Sequence, residues 1–578
     1  MAKGYRPVVR DQVFLLPPDM REWLPEDHPV WLVIRVIEAH LDTTAFHAGR
    51  RTGGAGSAGY DPDMLLTVLV WAYAHGVRSS RRMEQLCGTD VAFRVICGGN
   101  RPDHSTLARF RAAFPGAVAA LFAEVLRLCA RLGMGKLGTV ALDGTKVAAS
   151  ASKSANRAED TLAKLARETV AAHGAADAGE DVLFGDAAGD EVPEQAWSPR
   201  RRDERIRAAA AGLRREREQA ERAERVKADR FRERQEAGQR TGPAPASAEV
   251  ELAEENLARV RAARAARLAD LDGKYQAGEP DRRSRTAGVD DYCRVREAAA
   301  KAGAARERAA ARQAAAQEKA ADGKDREPVR NITDPDSRLM PVRGGGFIQG
   351  YNAQNVISED ELVIATELTD DTTDTAWFEP MMGQAAQAAA LITQNQPARD
   401  QAAPPAQDQT AAPARGQAAP PAQDQTAVAG SYAQGSLGAW LIGLALADAG
   451  YLSAHNLTCP GPARLIATGK HRDLEKTARS AAAAGDAGPG PADDAGPIAA
   501  MRARLATQDG ITAYRQRGHI AETPHGHIKH NLGFRQFTMR GKTKASAEWT
   551  FVCAIHNLTK ALSSGRLTAA ALASLPAG

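Results

Sequence analysis

The nine residues Thr139-Val140-Ala141-Leu142-Asp143-Gly144-Thr145-Lys146-Val147 constrain this chain most. Thr139 to Leu142 is a short apolar run of the kind that sits inside a sheet. It delivers Asp143, and a carboxylate carried by a buried strand costs free energy unless its charge is compensated. The pattern recurs. Leu441 to Ala447 reads as a second buried strand, and it delivers Asp448 ahead of Ala449-Gly450-Tyr451. Each aspartate alone has an ordinary reading, because Asp before Gly is a common turn residue and Asp after a strand often caps a helix.

A third carboxylate is anomalous for a different reason. From Thr512 to Ala545 the chain carries Arg515, Arg517, Lys529, Arg535, Arg540, Lys542 and Lys544, together with His519, His525, His527 and His530, and Glu522 is the only acidic residue. Net charge over the 578 residues is only +4, so it is this local concentration that points to a phosphate backbone as partner. A Glu among arginines can also be a plain surface ion pair.

The length suits two or three domains. Residues 1–135 read as a helical N-terminal domain, with apolar residues at helical spacing over Trp23 to His40, Pro62 to Gly76, Ser80 to Leu86 and Ala117 to Leu132. Asp103 to Arg111 reads as a helix start with polar caps and two arginines, Arg109 and Arg111. This is compatible with a helix-turn-helix-like DNA-binding region, and equally with a plain helical domain. Residues 156–330 are rich in Arg, Ala and Glu and poor in large apolar residues, which predicts a charged insertion of solvated helices.

Strand-like sequence returns at Gly346 to Ile357 and Leu362 to Leu368, a predicted hairpin, followed by a helix from Ala376 to Leu391. Residues 396–430 hold a tandem repeat, PARDQAAPPAQDQTAA then PARGQAAPPAQDQTAV, which predicts a disordered loop. Arg464 to Thr468 reads as another strand, Trp549 to Leu562 as a helix, and residues 566–578 as a tail. The composite expectation is an α/β core over residues 136–155 and 331–565, interrupted by the insertion.

No run of eighteen apolar residues is present and the N-terminus lacks a signal-peptide core, so a cytoplasmic protein without a membrane span is expected. The six cysteines form no CxxC pair and read as free thiols. His525 and His527 are two apart and diverge on a helix, so with His530 they make a poor zinc set.

Carboxylates from separate strands meet at a common edge of an open α/β sheet. Gathered there, they repel one another unless cations lie between them. Two divalent metals about 4 Å apart would resolve that repulsion and stabilise both oxygens of a phosphoryl displacement, and Mg²⁺ suits such oxygen ligands. With Thr523-Pro524 as a helix first turn, Glu522, Gly526 and Lys529 share one helix face.

This set resembles the DDE insertion-sequence transposases, in the group whose third carboxylate lies in a Y-x2-R-x3-E-x6-K signature. Tyr514, Arg517, Glu522 and Lys529 match it in type, although Arg517 stands one residue further from Glu522 than the pattern asks. LDGTKV around Asp143, GYNAQ before the hairpin, ADAGY around Asp448, and RG, EW and HNL-x-K after Glu522 are similar too. The resemblance implies a ribonuclease H-like core, a mixed sheet flanked by helices. In it Asp143, Asp448 and Glu522 hold two Mg²⁺ or Mn²⁺ ions for nicking of element ends and strand transfer into target DNA. It further implies that Tyr514, Arg517, Lys529, Arg535, Arg540, Arg109 and Arg111 contact double-stranded DNA, and that the protein acts as a nucleoid-associated homodimer on DNA. The competing readings are a catalytically inactive DNA-binding regulator of the same descent, and a nuclease of the same fold that cuts without joining.

Overall fold

A computed structural model describes residues 19–48, 59–113, 115–165, 167–168, 199–239, 244–246, 248–277, 288–321, 328–342, 345–397, 440–469 and 496–575. All but residue 397 of the expected tandem repeat lies outside the described residues. The chain forms two compact units, one from Met1–Lys153 with Asp336–Gly578 and one from Ser154–Pro335.

The strands are β1 (Thr139–Ala148), β2 (Asn156–Ala158), β3 (Val329–Asn331), β4 (Arg338–Pro341), β5 (Phe347–Ser358), β6 (Val363–Thr369), β7 (Leu444–Ala447) and β8 (Ala463–Ile466). In the first unit the sheet runs β4-β5-β1-β7-β8, with β6 also on β5. β1, β5 and β6 are antiparallel neighbours, and β5 also pairs antiparallel with β4. β1, β7 and β8 run parallel. All four residues of β7, Leu-Ala-Leu-Ala, are buried, as expected of a parallel strand covered on both faces. The expected hairpin is β5–β6, and the helix after it spans Phe378–Asn395.

Helices cover both faces. Gln354 pairs with Glu367, and Glu367 accepts from Gln384 of helix Phe378–Asn395, so that helix lies on the Gln354 face. Trp549 of helix Lys542–Ser563 donates to Asn355, the next residue of β5, and therefore lies on the opposite face.

The N-terminal helices do not form a separate core. Val33, Leu66, Leu121 and Leu126 belong to the same apolar cluster as Leu142, Val356, Leu446 and Trp549. Helix Pro115–Arg131 packs against both Lys542–Ser563 and Phe378–Asn395. The boundary expected near residue 135 is therefore a change of secondary structure inside one unit. Within it, Asp61 and Asp103 cap their helices by accepting from Asp63 and Thr106 backbone N–H groups at 2.8 and 2.9 Å. Among the described residues, no single helix is long and apolar enough to cross a membrane.

The second unit is held differently. β2 and β3 pair antiparallel near its two ends. Between them run helices Pro199–Glu236, Glu249–Gln276 and Cys293–Ala321. Its apolar clusters are small: Leu162, Ile206, Ala209, Ala210 and Leu213 in one, and Ala228, Ala248 and Leu252 in another. Ion pairs such as Arg308–Glu249 and Arg306–Glu254, both at 2.7 Å, link the last two helices, which form an adjacent pair. The solvated helices expected from composition are thus ordered into a unit of their own.

Candidate active site

The parallel register of β1 and β7 pairs Leu142 with Ala447. The next residue on each strand is an aspartate, Asp143 and Asp448, so the two carboxylates leave neighbouring strands that stand about 4.8 Å apart. Asp143 is not at a strand end, as its sequence suggested. β1 continues to Ala148 on its β5 side, where Asp143 pairs with Asn355, and only the β7 pairing stops at Leu142. Asp448 does end its strand and caps the short turn Ala449–Tyr451, accepting from the Gly450 N–H at 2.9 Å.

Arg517 lies against both aspartates. One guanidinium nitrogen is 2.7 Å from Asp143 Oδ1 and 3.7 Å from Asp448 Oδ2. His525 Nδ1 is 3.3 Å from the other oxygen of Asp143. Burial opposes ionisation of Asp143, but the His525 ring and the Arg517 guanidinium outweigh it and hold the carboxyl below its ordinary value. Asp448 moves the other way. Burial raises it, Arg517 opposes the rise, and the charges of Asp143 and Asp374 add to it. Two adjacent carboxylates thus have their affinities for protons driven apart, a common feature of functional sites.

Asp374 is a fourth carboxylate, one that nothing in its sequence neighbourhood singles out. It lies in the loop after β6 and accepts at Oδ1 from Asn352 Nδ2 and Gln354 Nε2, each at 2.7 Å. Gln354 in turn accepts from the buried Tyr451 hydroxyl. Asn352 and Gln354 alternate with Asn355 along β5, so Asp374 approaches from the face opposite Asp143. A Cβ on Gly450 would lie 3.0 Å from both Asp374 Oδ2 and Asp448 Oδ1, so these two carboxylates border one small gap.

The remaining candidates divide. Arg517, Glu522 and Lys529 lie on one helical run that is longer than expected: Gln508–Arg517, a π-turn over Gly518–Glu522, Thr523–Gly526, and a second π-turn over His527–Asn531. The helix start expected at Thr523 is therefore a mid-run position. Pro524 is accommodated there beside the wide turn, where the regular hydrogen-bond ladder is already interrupted. Glu522 is exposed and makes no hydrogen bond or ion pair among the described residues.

Lys529 is neither solvated nor free. Its Nζ donates to Thr145 Oγ1 at 2.6 Å and to the Lys146 carbonyl at 3.0 Å, fastening the run to β1. Tyr514, expected to touch DNA, is buried instead and donates to the Ala447 carbonyl at 3.2 Å, because its ring completes the core behind Asp448. Arg111 is likewise turned inward, donating to Arg78 O and Tyr73 Oη at 2.9 and 3.2 Å. Arg109, Arg535 and Arg540 are exposed. The clustered histidines point to different partners: His525 to Asp143, His527 to His556 at 3.0 Å, and His530 to Arg535 at 2.9 Å.

Two family profiles match this chain. Residues 18–113 match a transposase domain (DUF772), and residues 495–562 match a transposase DDE domain. The first covers the N-terminal helices through Arg111, and the second covers the helical run with Arg517, Glu522 and Lys529 and the helix that follows it. No curated protein and no solved structure matches the chain. Transposase domains are thus matched towards both ends of a chain that brings paired aspartates to one sheet edge, and together they support an insertion-sequence DDE transposase family for it.

Proposed function

We propose that this protein is a DNA transposase with a ribonuclease H-like core, in which Asp143, Asp448 and Glu522 hold two divalent cations, Mg²⁺ or Mn²⁺. The observation that carries the reading is the Leu142–Ala447 register, which sets Asp143 and Asp448 side by side at the sheet edge. The strand order adds support: three antiparallel strands, β6-β5-β1, continue into parallel β7 and β8, with helices on both faces.

The residues suit such ions. The nearby acidic donors, Asp143, Asp448 and Asp374, are all hard oxygens, and the upward shift of Asp448, caused first by burial and increased by the charges of Asp143 and Asp374, is one that a bound cation would oppose. Glu522 joins the set through the π-turn. In such a turn residues five apart stack, which would set Glu522 beneath Arg517, with His525 and Lys529 continuing the same face. Because Arg517, His525 and Lys529 all touch β1, that face is turned toward the aspartates. The π-turn also accounts for the extra residue between Arg517 and Glu522 relative to the signature. Bound there, the ions would supply Lewis-acid stabilisation of the attacking and leaving oxygens of an in-line displacement.

The chain's own residues do the rest. Arg517 and His525 orient Asp143 from two sides. Arg517 is the fixed positive charge nearest the aspartates, and a DNA phosphate arriving at this edge would meet it. Exposed Arg535, Arg540 and Arg109 offer backbone contacts that position double-stranded DNA. The reaction is hydrolytic nicking at element ends followed by transfer of the freed 3′ end into target DNA, by a homodimer in the nucleoid. The test is a supercoiled plasmid carrying the element's own ends, incubated with the protein and Mg²⁺. Nicked and joined products are expected. Nicking without joining would leave a nuclease, and DNA binding without either product would leave an inactive regulator.

A further inference from the structure

We propose that His525 is a positioning residue for Asp143, and that Asn355 locks it into the one tautomer able to do this. The proposal rests on the reading of Asp143 as a metal ligand.

Asn355 stands directly across from Asp143 in the β1–β5 pairing, so both side chains point to the same face. It is completely buried. Its Oδ1 receives the Trp549 indole N–H at 3.2 Å and the Thr366 hydroxyl at 2.7 Å. An indole N–H can only donate, so the amide cannot be turned over without leaving that donor facing another donor. Nδ2 therefore faces Nε2 of His525, at 3.2 Å. A ring nitrogen that accepts carries no proton. The imidazole proton consequently sits on Nδ1, which faces Asp143 Oδ2 at 3.3 Å.

The direction of donation runs one way, from Trp549 to Asn355 to His525 to Asp143. Every member before the carboxylate is buried, so water does not substitute for any link. Asp143 then has the Arg517 guanidinium donating to Oδ1 at 2.7 Å and the N–H of His525 facing Oδ2 at 3.3 Å. The plane of its carboxylate is set before any cation or DNA arrives. Hydrogen bonds that orient a ligand in this way commonly decide metal affinity as strongly as a ligand itself.

Substitution at His525 separates this role from packing. In His525→Asn the amide nitrogen is two bonds beyond Cβ, where Nδ1 stands in histidine, so an N–H toward Asp143 is retained. In His525→Gln the amide lies one bond further, at the place of Nε2. Mn²⁺ affinity of the full chain is measured by calorimetry, alongside melting temperature and plasmid cleavage. His525→Asn is expected to stay within about threefold of the parent, whereas His525→Gln and His525→Ala lose about tenfold or more. Parent-like affinity in His525→Gln or His525→Ala would overturn the proposal. So would an equal loss in His525→Asn and His525→Gln, because that is the signature of packing alone. If His525→Ala does not fold, the comparison of Asn with Gln still decides. A parent that binds no Mn²⁺ removes the metal reading and this proposal with it. A parent that binds Mn²⁺ without cleaving DNA counts against the function only, and the ranking of affinities still judges the positioning role.

Discussion

Replacing Gly144 with alanine tests whether the two faces of the sheet are packed as described. Gly144 lies between the aspartate-bearing position of β1 and the loop that holds Asp374. A Cβ there would come within 2.7 Å of both Asp374 Oδ1 and Gln354 Nε2, and 3.2 Å of Asn352 Oδ1. These are side-chain atoms, which could in principle move. They are, however, tied to one another: Asp374 accepts from Asn352 and Gln354, and Gln354 accepts from Tyr451. Overpacking a fixed site of this kind costs about 1–3 kcal/mol. In a unit of this size that corresponds to a melting temperature lowered by about 1–4 °C. Asp374 should also be pushed from the gap it shares with Asp448, lowering Mg²⁺-dependent cleavage by about tenfold. Calorimetric melting and plasmid nicking read the two effects. Gly383→Ala is the control, since a Cβ there meets nothing within 4 Å on an exposed helix position. It should stabilise by up to about 1 kcal/mol. A Gly144→Ala protein with the melting temperature and cleavage rate of the parent would refute the packing argument.

Three further outcomes are expected. Asp448→Asn should abolish Mg²⁺-dependent cleavage while leaving DNA affinity nearly intact, because phosphate contacts supply most of the binding; retained cleavage would remove Asp448 from the site. The two aspartates should also act oppositely on stability. Asp143, held low, contributes stability that is present above its unfolded value and lost as pH falls through the folded one. Asp448, held high, contributes stability present below its unfolded value and lost as pH rises through the folded one. Asp448→Asn should therefore melt no lower than the parent at neutral pH, and a clear drop in melting temperature would contradict the shift. Lys529→Ala should lower the melting temperature by the worth of two charge-assisted hydrogen bonds, about 1–3 kcal/mol, while changing the salt dependence of DNA binding by less than one unit. A full-unit fall in the salt slope without loss of stability would instead make Lys529 a phosphate contact.

Much of the fold was legible locally. Short apolar runs announced β1, β7 and β8, polar caps at Asp103 marked a helix start, and the hairpin β5–β6 followed from two strand-like segments separated by an acidic turn. These features depend on neighbours in the chain, where backbone geometry alone sets the period. The same locality showed that Asp143, Asp448 and Glu522 were each out of place. It did not show what surrounds them. Whether Asp143 meets Asp448 depends on the β1–β7 register, which a one-residue slip would destroy. The polar run of β5 reads like a surface strand, yet Asn352, Gln354 and Asn355 are all buried, because Asp374, Tyr451, Trp549 and His525 arrive from distant segments to satisfy them. Tyr514 carried the residue type of a DNA contact, and only the packing of its helix against β7 made it part of the core. The spacing of Arg517 and Glu522 looked one residue too long, and the π-turn between them, which packs against β1, accommodates the extra residue. The sequence by itself determined which groups are chemically costly to bury. Tertiary structure decided which of them share a site, because a charge or hydrogen bond acts over a few ångströms of space whatever the distance along the chain.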